Sequence, residues 1–356
     1  MRRGIGKYLV SAVLAVNCSG TMAASDQPSV VVTVIDGRTS PNDGLFTIAI
    51  SRDSSLVAAG TDSGRIVLIE AKTGKKLAEW AEKGTISGME FFPDGKHLVI
   101  GQGNSISVID TESTGKRTAT GFSGEPKAFR FSPDGKHLAF ISDTQLMRFC
   151  VLDAMPVKMR WCVGQRFSPG PESRFDGIQW MPDNSTIVLS NDRGIRAHSV
   201  AKPDILWEIT GSMHYPLAPF AISPDGAELV AIDRGTSSLS RWATKTGVIL
   251  SGAGKDGRRG AMRSGKVLRW ISGTRIVMLS SLEQSQTPRV EIFTADDGIE
   301  SSKFDLKIQK GDGDWLTRVV LSESLDIYVL AIRKVVGREN GREISDYVLQ
   351  IHPLRR

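Results

Sequence analysis

The stretch from Phe131 to Phe140, FSPDGKHLAF, decides the fold, because its shape recurs along the chain. An apolar strand ends at Pro-Asp-Gly, where Pro fixes φ and Gly can take a positive φ, and an apolar run then returns. Each copy therefore predicts a β-hairpin. Close copies are FFPDGKHLVI from Phe91, ISPDGAELVA from Ile222 and WMPDNSTIVL from Trp180; weaker copies are ISRDSSLVAA from Ile50, WISGTRIVML from Trp270 and VLSESLDIYVLA from Val320.

The copies follow one another at a regular spacing. A second hairpin follows most of them, as in Arg65 to Glu70, a Lys-Thr-Gly-Lys turn, and Lys76 to Trp80. The gaps of 42, 40, 49, 42, 47 and 51 residues lie close to the period of about 40 to 45 residues of a four-stranded propeller blade. Seven such units predict an all-β, seven-bladed β-propeller of four-stranded antiparallel blades, one domain over residues 28–354. The gaps separate the residues taken to open each second strand: Leu56, Leu98, Leu138, Ile187, Leu229, Ile276 and Ile327.

The two ends of the chain predict how the ring closes. The last unit supplies strands near Leu316–Leu321, Asp326–Arg333 and Asp346–His352 and lacks a fourth. Val30 to Asp36, VVVTVID, is a strand without a unit. We expect this N-terminal strand to complete the last blade, because the pairing removes two exposed sheet edges.

These motifs resemble those of the WD40-repeat family over almost the whole chain after the leader. The shared parts are the Phe-Ser-Pro-Asp-Gly-Lys element and the later aliphatic-acidic-x-x-Thr-Gly-Lys turn, whereas the Gly-His and Trp-Asp dipeptides of the family are absent. FSPDGKHLAF is equally similar to TolB-like periplasmic propellers, and ISVIDTESTGK, from Ile106, to YVTN-type propellers. The resemblance implies a divergent bacterial member that serves as a rigid platform for other macromolecules, most often without catalysis.

Residues 1–24 are typical of a secretory signal peptide. Arg2, Arg3 and Lys7 precede the nine apolar residues Tyr8 to Val16, and small or polar residues follow up to Ala24. Without the three basic leader residues the net charge falls from +6 to 42 − 39 = +3, so a nucleic-acid partner has little support. We expect a periplasmic or secreted soluble protein, monomeric on its own, with no integral membrane segment in the mature chain.

Cys150 and Cys162 remain after the leader is removed. They flank a short turn, so they would lie opposite or nearly opposite each other on two antiparallel strands, and export permits oxidation. The sequence predicts a disulfide between them; two buried free thiols are the alternative.

The inventory of chemical motifs is thin. No His-Glu-x-x-His, Cys-x-x-Cys or Gly-x-Ser-x-Gly pattern is present. His97 and His137 occupy one repeat position, which indicates a structural role, and His352 is assigned the same partly exposed position at a strand. We therefore expect no catalytic residue, no metal and no cofactor.

The candidate binding residues lie on long connections. In a propeller, connections between blades share one rim with those between second and third strands. Three of these are long: Val163–Asp176, Gly252–Lys266 and Val335–Ile344. Arg and aromatic residues are enriched at binding hot spots, so we predict a non-catalytic scaffold that binds a protein partner through this rim. The candidates are Arg166, Phe167, Arg174, His214, Tyr215, Arg258, Arg259, Arg263, Trp315, Arg338 and Arg342.

Other functions stay open at this point. The inserts could serve only solubility. A propeller enzyme of the lactonase or quinone-dependent-dehydrogenase-associated type would bring acidic side chains together at the channel mouth around a divalent ion. A module that binds glycans or peptidoglycan would have an aromatic-lined pocket on the rim.

Overall fold

The chain is all-β, and its strands form seven antiparallel sheets that stand as blades around a ring. No helix occurs among the residues that the structure describes, and hence no helix there could cross a membrane. The structure, a computed structural model, describes residues 23–24, 30–40, 42–113, 117–121, 124–143, 148–164, 177–191, 194–210, 217–233, 238–253, 265–280, 288–294, 300–311 and 313–355.

Six blades each use four consecutive strands, and the seventh combines both ends of the chain. After β1 (Ala23–Ala24) and β2 (Val30–Ile35), blade 1 contains β3 (Leu45–Ile50), β4 (Leu56–Thr61), β5 (Arg65–Glu70) and β6 (Lys76–Ala81), and blade 2 contains β7 (Ile86–Phe91), β8 (His97–Gln102), β9 (Ser105–Asp110) and β10 (Arg117–Gly121). Blade 3 contains β11 (Glu125–Phe131), β12 (His137–Asp143), β13 (Arg148–Asp153) and β14 (Lys158–Gly164), and blade 4 contains β15 (Ile178–Trp180), β16 (Thr186–Asn191), β17 (Gly194–Ser199) and β18 (Ile205–Thr210). Blade 5 contains β19 (Leu217–Ile222), β20 (Glu228–Asp233), β21 (Ser238–Ala243) and β22 (Ile249–Ala253), and blade 6 contains β23 (Gly265–Ser272), β24 (Arg275–Ser280), β25 (Arg289–Thr294) and β26 (Glu300–Asp305). Blade 7 contains β27 (Trp315–Leu321), β28 (Ile327–Glu339) and β29 (Arg342–Arg355), together with β1 and β2.

The repeated turn between first and second strands is held by its own side chains. In blade 5, Asp225 Oδ1 accepts hydrogen bonds from Ser223 Oγ at 2.6 Å and from the Ala227 amide at 3.0 Å. These bonds, the serine first, hold the pKa of Asp225 below its ordinary value. The turn is thus favoured by the local sequence before any blade packs on another.

One residue of this turn always has a positive φ. It is Gly in four blades, with φ between 70° and 72° in three of them and 49° at Gly273 of blade 6, and Ser54, Asn184 or Leu325, with φ of 60°, 59° and 55°, in the other three. The backbone pairing shows that the sequence alignment was wrong by one residue in the first and last units. Val57 and Tyr328, rather than Leu56 and Ile327, correspond to Leu98 and the other strand-opening residues.

Neighbouring blades share their cores. Ile66 and Leu68 of blade 1 pack in one cluster with Met89 and Phe91 of blade 2. Side chains also satisfy backbone groups of the next blade: Trp161 Nε1 donates to the Val200 carbonyl at 2.9 Å. Because each sheet buries its faces only against its neighbours, stability depends on a closed ring.

The expected closure is confirmed. Within blade 7, β2 pairs antiparallel with β29, from Val30 opposite Ile351 to Ile35 opposite Tyr347. Ala24 of β1 pairs with Leu354 at the end of β29. The N-terminal strand thus supplies the outer strand that the last unit lacks.

The predicted disulfide is confirmed as well. Cys150 and Cys162 lie directly opposite each other on β13 and β14, with Cα atoms 4.2 Å apart. Cys150 is buried and Cys162 is exposed. The bridge joins the two outer strands of blade 3.

Val335–Ile344, predicted as a loop, is instead a strand hairpin. β28 and β29 stay paired up to Glu339 opposite Arg342, with a bulge between Val335 and Gly337. Asn340 and Gly341 form the tip with φ of 50° and 79°, the two positive values that a tight two-residue hairpin turn requires. Hydrophobic alternation is interrupted by charged residues here, and for that reason the sequence did not predict the strands.

Candidate interaction rim and central channel

The strand order defines two edges of the ring. The turn rim carries the turns between first and second strands and between third and fourth strands. The insertion rim is the opposite edge. It carries the connections between second and third strands and those from one blade to the next. Among the described residues, the insertion rim contains 36–40, 42–44, 62–64, 82–85, 103–104, 124, 177, 288, 306–311, 313–314 and 340–341.

Three of the predicted binding residues lie in the described part of the chain. Trp315, Arg338 and Arg342 belong to the first strand and to the long hairpin of blade 7. The other eight lie outside the described residues: Arg166, Phe167, Arg174, His214, Tyr215, Arg258, Arg259 and Arg263.

The hairpin of blade 7 extends past the rest of its sheet, and we call residues 334–345 the ribbon. The pairing of β27 with β28 stops where Trp315 lies opposite Arg333, and the pairing of β2 with β29 stops where Ile35 lies opposite Tyr347. Among the described residues, no further strand therefore lies beside the ribbon. Glu343 accepts from Arg333 at 3.1 Å and from Arg338 at 3.3 Å. The ribbon therefore presents a charged surface.

Trp315 lies at the base of the ribbon. Its side chain is 43% exposed although it begins an innermost strand. Because Trp315 and Arg333 are cross-strand partners, they place an indole and a guanidinium side by side at the insertion rim. This pair and the ribbon are the described part of the predicted binding surface.

A second charged group lies beside them at the junction of blades 7 and 1. The guanidinium carbon of Arg318 lies 5.9 Å above the ring of Phe46. Burial, and then repulsion from Asp43, raises the pKa of Asp62, and the charge of Arg318 offsets part of that rise. A Cβ on Gly44 would meet the carboxylate of Asp62, so a side chain there would require Asp62 to move. These side chains therefore lie where blade 7, which closes the ring, meets blade 1 at the insertion rim.

The central channel contains charged side chains that the sequence analysis did not single out. Glu90 accepts a hydrogen bond from Arg130 of the next blade at 3.1 Å. Burial raises the pKa of Glu90 to about 7, against the opposing effects of Arg130 and of Arg269 from blade 6. The carboxylate is thus bound by the guanidinium of one neighbouring blade and influenced by the charge of a second guanidinium from blade 6.

Their repeat position was the available signal. Glu90, Arg130 and Arg269 each directly precede the innermost-strand residue that pairs with Leu98 or its equivalent in the second strand. At this position Gln179 fixes the first strand of blade 5, since its amide donates to the Phe220 carbonyl and accepts from the Ile222 amide. The seven equivalent residues are Ala49, Glu90, Arg130, Gln179, Ala221, Arg269 and Val320.

At the turn rim, Arg52 reaches across the ring. Its guanidinium donates to the Pro133 carbonyl of blade 3 at 3.3 Å and lies 3.8 Å from Glu323 of blade 7. Across the described ranges, no group of three His, Cys, Asp or Glu side chains is placed to hold a metal ion. The acidic convergence that would indicate a propeller enzyme does not occur in that part of the chain.

The histidines follow their structural assignment with one correction. His97 faces Asp94 at 2.8 Å and His137 faces Asp153 at 3.2 Å. His352, however, is only 3% exposed and stacks on Tyr328 with ring centres 4.6 Å apart. The expected partly exposed position was wrong for His352, because its ring stacks on Tyr328, which packs in a cluster with blade 6.

The described geometry assigns the protein to a class, the seven-bladed β-propellers. A scan against models of known protein families finds no match to this chain. A search of curated proteins also finds no relative. A propeller of this kind is commonly a scaffold for protein interactions.

Proposed function

We propose that this protein is an exported, WD40-like scaffold that binds a protein partner through the insertion rim and carries out no catalysis itself. The observation that carries the proposal is the ribbon with Trp315 at its base. A half-exposed indole beside arginine side chains is the composition of a binding hot spot. Arg338, with 72% of its side chain exposed, extends this surface away from the ring.

The basic and apolar leader, residues 1–24, supports export. The Cys150–Cys162 bridge agrees with an oxidising compartment, because such bridges are rare in a reducing cytosol. The first strand required for the ring is β2, which begins at Val30. Removal of residues 1–24 therefore removes β1, whose two residues pair with the end of β29, and leaves β2 to close the ring.

Site-specific photocrosslinking in the periplasm of a bacterial host that contains the partner tests the binding surface. A photoreactive residue replaces Trp315 in one variant, Arg338 in a second, and Lys72 on the turn rim in a control. We expect discrete heavier adducts from the first two and none from Lys72. Adducts from Lys72 alone, or none at any position, would contradict the proposal.

Substitutions test the described surface, which is Trp315 with the ribbon, separately from the predicted insert Gly252–Lys266. The variant Trp315→Ser/Arg338→Ser/Arg342→Ser should lose at least nine tenths of the crosslinks formed from another insertion-rim position, with an unchanged melting temperature. Arg258→Ser/Arg259→Ser/Arg263→Ser tests the predicted insert in the same way. The control is Lys72→Ser/Lys75→Ser/Lys76→Ser on the turn rim, which removes as many charges as the insert variant and one more than the Trp315 variant, and should leave the crosslinks unchanged.

A further inference from the structure

The outer strands of the blades differ in the residues that follow the turn from the third strand. In blades 1 and 2 the residue opposite the next-to-last residue of the third strand is basic, with Lys76 opposite Ile69 and Arg117 opposite Ile109. In blade 3 the register places Met159 there, opposite Leu152. In blades 4 and 5 this position is aliphatic, with Ile205-Leu206 and Val248-Ile249-Leu250. Structurally equivalent surface positions therefore change from charged to apolar around the ring.

These five aliphatic side chains are exposed and lie close together. Ile205 and Leu206 are 50% and 52% exposed, and the three in blade 5 are 58%, 57% and 49% exposed. The turn of blade 5 lies against β18, since a Cβ on Gly247 would be 3.6 Å from the Glu208 carbonyl oxygen and 3.9 Å from Trp207 Cβ. We call Ile205, Leu206 and Val248–Leu250 the edge patch.

The strand that carries most of the edge patch has an unprotected edge. β22 pairs with β21 on one side, and no described strand pairs with its other side. Natural sheets blunt such edges with charged residues. Every other outer strand carries at least one charged residue except β2, which buries half of its side chains. β22, with the sequence ILSGA, carries none.

The free edge restricts what could cover the patch. Its backbone N–H and C=O groups need hydrogen-bond partners once water is excluded, and lipid chains supply none. A polypeptide strand supplies both. Ile249 and Leu250 of β22 are exposed and aliphatic, and the strand carries no charge. A matching added strand is therefore uncharged and aliphatic where it meets them, and β22 is such a strand.

We propose that β22 pairs antiparallel with β22 of a second copy of this chain, so that the two edge patches cover each other. Pairing about a two-fold axis requires only this one surface and closes on itself. The patch is on the order of 500 Å², as large as the largest apolar patch of a typical monomer. Two patches bury on the order of 1,000 Å², near the lower limit for specific complexes, so the dimer is weak and reversible.

This inference is independent of the proposed function, because the edge patch lies in blades 4 and 5, whereas Trp315 and the ribbon belong to blade 7. The sequence-based expectation of a monomer then applies only at low concentration. Pairing at β22 also explains why an exposed apolar edge is retained without charged residues.

Analytical ultracentrifugation of the mature protein across the micromolar range tests the dimer. The wild type should shift from the monomer mass towards twice that mass, and Leu250→Lys should weaken association at least tenfold. Leu77→Lys on β6, which replaces an aliphatic residue with similar exposure of 46%, is the matched control and should associate like the wild type. Ile249→Lys repeats the test if Leu250→Lys lowers the melting temperature.

Amide hydrogen exchange identifies the surface used. Exchange in β22 should slow as the protein concentration rises, while exchange in β6 stays constant. A wild type that remains monomeric throughout, or a Leu250→Lys variant that dimerises as the wild type does, overturns the proposal. So does a monomer that floats with phosphatidylethanolamine–phosphatidylglycerol vesicles only when Leu250 is intact, since that outcome assigns the patch to a membrane.

Discussion

Blades 3 and 7 hold their outer strands in different ways. Blade 3 is one continuous stretch whose outer strand is linked to its neighbour by Cys150–Cys162. Blade 7 joins the two ends of the chain without a covalent link, and 347 − 35 = 312 residues separate Ile35 from its partner Tyr347. A change in the outer strand of blade 3 should therefore stay local, whereas a change in that of blade 7 should affect the whole ring.

Ile35→Ala should give the largest effect. Ile35 is fully buried and packs in a cluster that joins β2, blade 1 and blade 7. Its truncation should lower the free energy of unfolding by about 4 kcal/mol, from lost burial and the cavity left behind. Urea denaturation followed by tryptophan fluorescence measures this value.

The control lies on the same strand. Val31 is 48% exposed, so Val31→Ala should change the free energy of unfolding by less than about 1 kcal/mol. Amide exchange should quicken in both β3 and β29 of Ile35→Ala. Equal effects of the two substitutions would mean that β2 does not hold the ring closed.

Removal of the Cys150–Cys162 bridge tests whether a change in the outer strand of blade 3 stays local. The double variant Cys150→Ala/Cys162→Ala opens a link between residues 12 apart in sequence and should cost about 3 kcal/mol. In native-state exchange, β14 should lose protection while β2 and β29 keep theirs. Equal loss of protection in blade 7 would show that the two blades are not independent.

Acid should destabilise the protein through His352 of blade 7, by less than loss of the disulfide does. Burial, and then the charge of Lys307, lowers the pKa of His352 to about 4 from an ordinary 6.5. The unfolded chain therefore binds a proton before the folded protein does, so this group's stabilising contribution is lost as the pH falls from 6.5 to 4, about 2 kcal/mol of it by pH 5. In blade 3, by contrast, the ring of His137 faces the carboxylate of Asp153.

Urea denaturation at pH 7 and pH 5 checks this effect against His352→Gln. Glu90 acts in the opposite sense, since a raised pKa makes its ionisation costly as the pH rises, but it is present in both proteins and its contribution cancels. The variant should lose about 2 kcal/mol less than the wild type between the two pH values. Equal losses would remove His352 from the acid response.

Local turn chemistry explains how much of the fold could be predicted. Where Pro-Asp-Gly is intact, as at Gly135, the turn, the strand register and the period follow from the sequence. In the first and last units Ser54 and Leu325 take the positive φ that Gly takes elsewhere. The signal was weakest there, and the alignment slipped by one residue, which would have placed side chains on the wrong face of the strand.

The candidate surfaces were less accessible to sequence reasoning. Trp315 at the rim follows from its place before an inner strand, but the ribbon depends on pairing between Arg338 and Glu343 that periodicity does not record. The proximity of Glu90 and Arg269 follows from a ring geometry that joins residues far apart in sequence. The edge patch is visible only when blades are compared position by position.

The closing strand also sets the order of biogenesis. β2 leaves the ribosome about 300 residues before its partner β29. At ordinary rates of synthesis its six Val-rich residues therefore remain unpaired for tens of seconds. The nascent chain therefore cannot close the ring until β29 has been synthesised. During that interval β2 needs a chaperone, or an unfolded passage through a translocon, to keep it from aggregating.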